Sequence, residues 1–319
     1  MDACNNLPSS LLNRWEELYT EKDYEKLLDA FTNKVIPSFR TNTIKATSDE
    51  VKNELTKEGY IIEQVSWYQD AFILKNKSIR ELTETQTYKN GFIYIQNLSS
   101  MIPALALDPK PGEKVLDIAA APGSKTTQIA SLMQNTGELT ANDISFKRLF
   151  KLKDNLNHMG ITNVKVLNLA GESFWKKLPE YFEKTLVDVP CSMEGRIRCD
   201  NPKSYQDWST KKIKQLSQMQ KYLLRSAISA TQIGGTIVYS TCTLAPEENE
   251  EVIEWVVEKT PNALVVEKVT IPLLQMQPGL SSWKNKKYKY TAHTSRIFPN
   301  QNMEGFFVAK LHKTASTLL

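Results

Sequence analysis

One stretch of the sequence decides the fold: Leu116-Asp117-Ile118-Ala119-Ala120-Ala121-Pro122-Gly123-Ser124-Lys125-Thr126-Thr127. An apolar run precedes it and a helical pattern follows it, so the small residues form the turn between a strand and a helix. Such a turn lets a ligand approach the backbone, and the helix start offers free N–H groups to an anion. The stretch predicts a nucleotide-like pocket, although the same turn could simply pack a helix on a sheet. It lacks GxGxxG and P-loop glycine spacing, which disfavours a dinucleotide cofactor.

The alternation of strand, turn and helix repeats from about residue 110 onwards. Predicted strands cover residues 114–118, 138–142, 164–167, 185–189 and 236–240. Predicted helices between them cover residues 125–133, 145–159, 209–233 and 247–259. Alternation of this kind predicts an α/β fold with a mostly parallel sheet covered on both faces. In such folds the ligand binds outside the carboxyl ends of the strands.

The chain before this region has a different pattern. Residues 1–34 are predicted to form a helical segment, because Leu11, Trp15 and Leu18 recur at helical spacing. Residues 35–108 are predicted to form a small α+β domain with a linker helix, and residues 109–319 are predicted to form the larger domain.

Composition indicates an ordinary globular protein. The 319 residues carry a formal net charge of +4, with 41% hydrophobic and 24% charged residues, which argues against disorder. No apolar run is long enough for a membrane helix, and Met1-Asp2-Ala3-Cys4 lacks the basic lead of a secretory signal, so we expect a cytoplasmic protein. Four cysteines without a CxxC pair, and three histidines, predict neither disulfides nor a metal site. Cys4 and Cys199 are interpreted as incidental free thiols.

The small net charge conceals two basic segments. Residues 193–225 hold eight basic and three acidic residues, and residues 284–296 hold five basic residues and no acid. Either segment alone is compatible with a solvated surface. Together they indicate a polyanionic partner, with Arg196, Arg198 and Arg296 as candidate contacts.

Acids and thiols stand at the predicted strand ends. Asp143 follows the second strand, where a carboxylate would bind the hydroxyls of a ribose, although it could equally cap the next helix. Asp188 and Cys191 follow the fourth strand, and Cys242 follows the fifth. Two cysteines facing one crevice beside an aspartate predict thiolate chemistry, although each alone is more often a buried apolar residue.

These motifs resemble the Sun/Fmu-type RNA cytosine-5 methyltransferases, and among them the RsmF-like members. The matching stretches include Ala120-Ala121-Pro122-Gly123-Ser124-Lys125-Thr126, Asp188-Val189-Pro190-Cys191-Ser192, Ser240-Thr241-Cys242-Thr243, Glu247-Glu248-Asn249-Glu250 and Arg40-Thr41-Asn42-Thr43. The resemblance covers roughly residues 35–312. It implies a Rossmann-like class I methyltransferase with an antiparallel closing strand, preceded by a small RNA-recognition-like domain.

The resemblance also implies ligands and partners. S-adenosylmethionine would be bound by residues 119–125, namely Ala119, Ala120, Ala121, Pro122, Gly123, Ser124 and Lys125, together with Asp143 and Asp188. RNA would be contacted by Arg40 and Asn42, with rRNA expected rather than tRNA, and the protein is expected to act as a monomer. Long family members carry further C-terminal RNA-binding domains, and substrate selection of that kind is expected to be either absent from residues 1–319 or supplied by the two basic segments.

The implied chemistry uses both thiols. Carbon 5 of cytosine accepts a methyl group only after a nucleophile adds to carbon 6, and Cys242 would be that nucleophile. Asp188 would stabilise the base edge as charge develops there. Cys191 would assist proton removal and product release, and Lys125 would hold the cofactor carboxylate or line the base pocket.

Two departures from the family pattern leave an alternative open. Ala170-Gly171 stands where the family has an acid for the adenine amino group, with Glu172 nearby, and Met193 stands where the family favours glycine. A non-catalytic RNA-binding or assembly factor with the same fold is therefore the alternative hypothesis. A DNA cytosine methyltransferase is disfavoured by Ser240-Thr241-Cys242 and by the missing recognition insertion. An amino-group methyltransferase is disfavoured by Val189-Pro190-Cys191.

Overall fold

The computed structural model of the protein describes Cys4 and residues 6–318. Residues 1–3, 5 and 319 lie outside this part of the chain. The prediction that the protein has no signal peptide is based on residues 1–3 and so falls outside the described residues. Within the described part, no helix has both the length and the apolar character needed to cross a membrane.

The N-terminal third forms a helical hairpin followed by a small antiparallel sheet. The hairpin consists of α1 (Ser9–Leu18) and α2 (Glu21–Thr32), and the Thr20 hydroxyl caps the second helix by accepting from the amide of Asp23. The strands are β1 (Ser38–Thr41), β2 (Ile62–Val65), β3 (Tyr68–Leu74) and β4 (Ile93–Ile95), in the order β2-β3-β1-β4. The accompanying helices are α3 (Ser48–Lys57), α4 (Ile79–Glu84) and α5 (Gln86–Lys89).

The remainder of the chain builds one large sheet, reached through α6 (Leu98–Leu107). Its parallel strands are β5 (Lys114–Asp117), β6 (Glu138–Asn142), β7 (Val164–Leu167), β8 (Phe182–Asp188) and β9 (Thr231–Thr241). The helices between them are α7 (Ser124–Leu132), α8 (Phe146–Met159), α9 (Thr210–Ala230) and, after β9, α10 (Glu250–Lys259). The prediction of a mostly parallel α/β sheet is confirmed.

Antiparallel strands close this sheet. They are β10 (Leu264–Glu267), β11 (Gln277–Pro278), β14 (Ser295–Ile297) and β15 (Phe306–Lys313), and β15 pairs directly with β9. A separate two-stranded hairpin consists of β12 (Ser282–Trp283) and β13 (Lys286–Lys287). The sheet order β11-β14-β15-β9-β8-β5-β6-β7, with β10 beside β15, confirms the predicted antiparallel closure.

The large sheet divides the core into two layers. Val115 on β5 packs with α6, α7 and α8 on one face, whereas its neighbour Leu116 packs with α9 and α10 on the other. Successive strand residues point to opposite faces, so a strand buried on both sides needs a continuous apolar run. This sandwich brings the carboxyl ends of β5, β6, β8 and β9 to one edge of the sheet.

Several boundary predictions and one redox prediction are wrong. Helix α10 starts at Glu250 rather than at residue 247, and β9 starts at Thr231 rather than at residue 236. Helix α9 ends at Ala230 rather than at residue 233, because Thr231 already pairs with Phe182 across the sheet. Cys4 and Cys199 are not free thiols but form a disulfide bond, with their Cα atoms 4.8 Å apart. The helical hairpin returns the N-terminal segment to the loop that contains Cys199. A separation of 195 residues gave the sequence no spacing signal for this contact.

Candidate active site

The two predicted reactive thiols meet at the carboxyl edge of the sheet. Cys191 follows β8 and Cys242 follows β9, and their sulfur atoms lie 3.3 Å apart. Cys191 is buried, whereas Cys242 is partly exposed. The contact with the Cys242 sulfur, and then burial, raise the pKa of the Cys191 thiol well above its usual value. Cys191 is therefore held as a protonated thiol that can donate to the sulfur of Cys242.

Asp188 and Lys125 form an ion pair beside the thiols. The Lys125 ammonium lies 2.7 Å from Oδ2 of Asp188 and 2.9 Å from the Ser100 hydroxyl at the start of α6. The other carboxylate oxygen, Oδ1, accepts from the Ser240 hydroxyl at 2.7 Å. The Lys125 side chain is 8% exposed and that of Asp188 is 30% exposed, so the carboxylate is the part of the pair that solvent reaches. The Lys125 ammonium and the Ser240 hydroxyl therefore fix the position of the Asp188 carboxylate.

The turn between β5 and α7 requires a glycine at position 123. Gly123 adopts φ of +108°, which favours glycine, and a Cβ there would meet Cδ1 of Leu152 at 2.7 Å. Below the turn, Asp117 accepts from the Thr126 hydroxyl at 2.7 Å. Burial raises the pKa of Asp117 to about 7, against the opposing effect of the Thr126 hydrogen bond. A neutral carboxyl group beneath the turn avoids a buried, unpaired charge.

Asp143 lies at the predicted ribose position but is engaged within the protein. Its carboxylate accepts from the amides of Ala121 and Ser145, at 3.1 and 2.8 Å. Nη1 of Arg148 lies 3.4 Å from Oδ2, and Arg148 also donates to the carbonyl of Ala121. The helix cap is Ser145 rather than Asp143, which disfavours the capping interpretation. Half of the Arg148 side chain is exposed, so it can turn away when the carboxylate takes a ligand.

A buried glutamate joins the loops that carry the two thiols. Oε2 of Glu248 accepts from the Ser192 amide at 3.0 Å and from Nε2 of Gln220 at 2.8 Å. The Ser192 hydroxyl bonds to Oε1 and also lies 2.7 Å from the Thr243 hydroxyl. Burial raises the pKa of Glu248 to about 7, against the hydrogen bonds from Ser192 and Gln220. Because Ser192 follows Cys191 and Thr243 follows Cys242, this network fixes the relative position of the sulfur atoms.

Asn249 and Glu250 complete this stretch. The Asn249 amide accepts from the Thr241 hydroxyl at 2.6 Å and donates to the Thr243 carbonyl at 3.0 Å, one residue on either side of Cys242. Glu250 binds Arg296 through two contacts of 2.6 Å, and both side chains are buried. The motif Glu247-Glu248-Asn249-Glu250 was visible in the sequence, but only the structure shows what each residue holds.

The prediction of RNA contacts is wrong for Arg40, Asn42 and Arg296, since all three are buried. The Arg40 guanidinium donates to the Thr127 hydroxyl at 2.7 Å, and so ties β1 of the small sheet to α7. The Asn42 amide donates to the Met159 carbonyl at 2.8 Å, and so ties the same strand to α8. The Arg-x-Asn motif therefore docks the small sheet on the large domain.

The other two predicted RNA contacts differ from each other. Arg198 donates to the carbonyls of Ala30 and Asn33, at 2.8 and 2.7 Å, and so holds α2 against the loop after Cys191. Arg196 pairs with Glu304, but more than half of its side chain remains exposed. RNA contact thus remains a prediction for Arg196.

Met193, one of the two departures from the family pattern, has a backbone conformation that favours glycine. Its φ is +58°, in the left-handed region where a non-glycine residue costs about 1–2 kcal/mol, so glycine suits this position. Its side chain is 43% exposed beside the Cys191 loop. At the other departure, Ala170 presents only a methyl group after β7, and Glu172 is exposed on the following turn.

The sheet order, together with the residues at its carboxyl edge, defines a Rossmann-like methyltransferase fold. A crystal structure of a methyltransferase homologue from Pyrococcus horikoshii aligns with 97% of this chain and 96% of its own, at a TM-score of 0.83 and 32% identity. The profile of 16S rRNA methyltransferase RsmB/F matches residues 104–312. The profile of the N-terminal domain of 16S rRNA methyltransferase RsmF matches residues 7–98. The chain belongs to the RsmB/F family of RNA methyltransferases.

Two curated relatives illustrate the range of the family. The tRNA (cytosine(49)-C(5))-methyltransferase of Pyrococcus abyssi is 39% identical over 303 residues, which cover 93% of this chain and 94% of the relative. Ribosomal RNA small subunit methyltransferase F of Shigella dysenteriae is 36% identical over 313 residues, which cover 96% of this chain. This chain spans 63% of the length of that second relative.

Proposed function

We propose that this protein transfers a methyl group from S-adenosylmethionine to carbon 5 of cytosine in RNA, in the cytoplasm. The observation that carries the proposal is the pair of thiols 3.3 Å apart, with the carboxylate of Asp188 beside them. Relatives that bear cytosine-C5 methyltransferase names support the same reaction. The small sheet, the large domain and the helical hairpin together frame the site.

The residues present fit the cofactor. The first turn of α7, which follows Gly123, supplies free amides for a carboxylate. Asp143 would accept from the ribose hydroxyls once Arg148 turns outward. When bound, S-adenosylmethionine supplies an electrophilic methyl group. Lys125 and Asp188 would face it from the thiol side of the pocket.

The different burial of the two cysteines supports different roles for them. Cys242 is the more exposed of the two and would add to carbon 6 of the base, which breaks the aromatic system and makes carbon 5 nucleophilic. Asp188 would stabilise the ring-nitrogen edge of the base during this addition. Cys191 would then receive the proton from carbon 5 as a base. The Cys242 sulfur is the main cause of its raised pKa in the resting site, so bonding of that sulfur to carbon 6 would remove this effect. The Cys191 proton would then pass to solvent before the thiolate accepts the proton from carbon 5.

Ribosomal RNA is the first candidate substrate and tRNA is the second. The family profile and the methyltransferase F relatives carry rRNA names. The observation that supports tRNA as the second candidate is the match to the Pyrococcus abyssi tRNA enzyme, which extends over nearly the whole length of both chains. Both RNA classes expose unpaired bases that can be turned into a pocket.

Labelled S-adenosylmethionine tests the proposal directly. The purified protein is incubated with unmodified rRNA fragments and with tRNA transcripts, label transferred to each RNA is counted, and the methylated cytosines are mapped by bisulfite sequencing. We expect label at carbon 5 of defined cytosines in one class. RNA binding with no S-adenosylmethionine binding by calorimetry, and no label in any RNA, would instead support the non-catalytic RNA-binding or assembly factor.

Restoring the missing acid should strengthen cofactor binding. We expect Ala170→Asp to lower the dissociation constant for S-adenosylmethionine by about tenfold, because one charge-assisted hydrogen bond contributes roughly 1–3 kcal/mol. Isothermal titration of wild type and variant measures the change. Ala170→Asn is the matched control, since it adds a side chain of the same size without the charge. Equal affinities for all three proteins would place the adenine elsewhere.

A further inference from the structure

A groove on the surface collects lysines from both basic segments of the sequence. It has a volume of about 440 Å³ and lies between α9, the start of α10 and the β12–β13 hairpin. Lys214 and Lys221 on α9 come from the first basic segment, and Lys284 and Lys286 on the hairpin come from the second. Residues some 70 positions apart in the chain therefore form one cationic surface.

The acids that line the groove already have partners. Glu247 is bound by Arg14 through two hydrogen bonds, of 3.1 and 2.8 Å. Glu251 lies 2.5 Å from the ammonium of Lys286. Lys284 lies 3.8 Å from Glu17, which is outside the groove, and both side chains are more than half exposed. The charges of Lys214, Lys221 and Lys284 thus exceed what the acids of the groove neutralise. Burial lowers the pKa of Lys221, and the nearby charge of Lys286 lowers it further, whereas Glu251 opposes the shift.

The groove opens at the edge of the sheet that carries the thiols. Helices α9 and α10 both start at this edge, and Lys214 and Glu251 lie in their first two turns. Glu247 lines the groove, and the adjacent Glu248 binds Ser192, which follows Cys191. A strand of nucleic acid that delivers a base to Cys242 can therefore continue along this surface.

We propose that the groove binds the phosphate backbone of the substrate RNA, next to the nucleotide that reacts. The inference rests on the proposed function. The single indole in the groove, Trp283, is 6% exposed and donates to Glu247, so it offers no free face for a base. Recognition through ammonium groups alone contacts phosphates and is independent of sequence.

The test is a triple variant, Lys214→Gln with Lys221→Gln and Lys284→Gln, which leaves Lys286 in place as the partner of Glu251. Affinity for a tRNA transcript, an rRNA fragment and an unrelated single-stranded RNA is measured by filter binding at several salt concentrations. We expect roughly 10- to 100-fold weaker binding of all three RNAs at low salt, and a salt slope smaller by about 2. Thermal unfolding and cofactor affinity should match wild type.

The matched control is Lys165→Gln with Lys259→Gln and Lys268→Gln, which removes the same charge from exposed positions outside the groove. This variant should bind RNA nearly as wild type does. Equal losses of RNA affinity in both triple variants would show that the groove lysines contribute only through the overall charge of the protein, which would overturn the proposal. Wild-type affinity and slope in the groove variant would also overturn it, even if methyl transfer to RNA is observed. Loss of RNA binding in the groove variant, with no methyl transfer by wild type, would retain the groove and reject the proposed reaction.

Discussion

Cys242→Ala should abolish methyl transfer, with a loss of at least about 10⁴-fold, because no other group replaces a covalent nucleophile. Cys191→Ala should retain the first steps but accumulate a covalent complex with RNA, since the thiol assigned to proton removal is gone. Incubation with RNA and cofactor followed by a denaturing gel distinguishes the two variants. We expect a shifted band for Cys191→Ala and none for Cys242→Ala.

The other cysteines provide the control for this experiment. Cys199→Ser removes the disulfide to Cys4 but touches neither thiol of the site, so it should keep its transfer activity and form no persistent adduct. A persistent adduct in Cys242→Ala, and none in Cys191→Ala, would exchange the two roles. Activity in both alanine variants would reject covalent catalysis by either residue.

Asp188→Asn should lower the rate at saturating RNA and cofactor by about 10²–10³-fold, as is typical when one preorganised electrostatic contact is lost. Asparagine keeps the shape of the side chain but removes the charge beside the base. It also leaves Lys125, whose side chain is 8% exposed, without its counter-charge. Single-turnover kinetics measure the chemical step, and cofactor titration separates that step from weaker binding.

Ser240→Ala separates the contribution of the Asp188 charge from that of the hydrogen bond that orients its carboxylate. This variant removes only the hydrogen bond to Oδ1 of Asp188, so we expect a loss of about tenfold, corresponding to roughly 1–1.5 kcal/mol. Thermal unfolding of both variants should show that the fold persists. If Ser240→Ala lost as much activity as Asp188→Asn, orientation rather than charge would be the contribution of Asp188. Wild-type rates in Asp188→Asn would remove it from the reaction.

Much of the site follows from the order of elements along the chain. The apolar periods of the large domain identify the parallel strands, and parallel strands place their carboxyl ends at one edge. Cys191 and Cys242 could therefore be assigned to one crevice from the sequence. The carboxyl group of Asp188 was placed there for the same reason. Lys125 was named from the resemblance, but its ion pair with Asp188 was not predicted.

Several assignments failed because they depend on which face of an element a neighbour covers. Arg40 and Asn42 matched a motif for RNA recognition. In the structure, however, Arg40 donates to Thr127 on α7 and Asn42 donates to the carbonyl of Met159 at the end of α8, so both side chains connect the small sheet to the large domain. Burial of a guanidinium requires partners for its donors, and the partners of Arg40 are Gln96, Ser124 and Thr127, which lie 56 to 87 positions away. Contacts between residues so far apart in the chain cannot be predicted from the local sequence.

Periodicity and the order of elements, which act locally or along the chain, indicated the parallel sheet and the residues at the strand ends, and the family resemblance implied the antiparallel closure. Only the tertiary structure decided the 3.3 Å separation of the sulfur atoms, the network through Glu248 that holds them, and the disulfide between Cys4 and Cys199. It also brought the two basic segments to one groove. These features arise where distant segments pack together, and the geometry of that packing is set by the whole core.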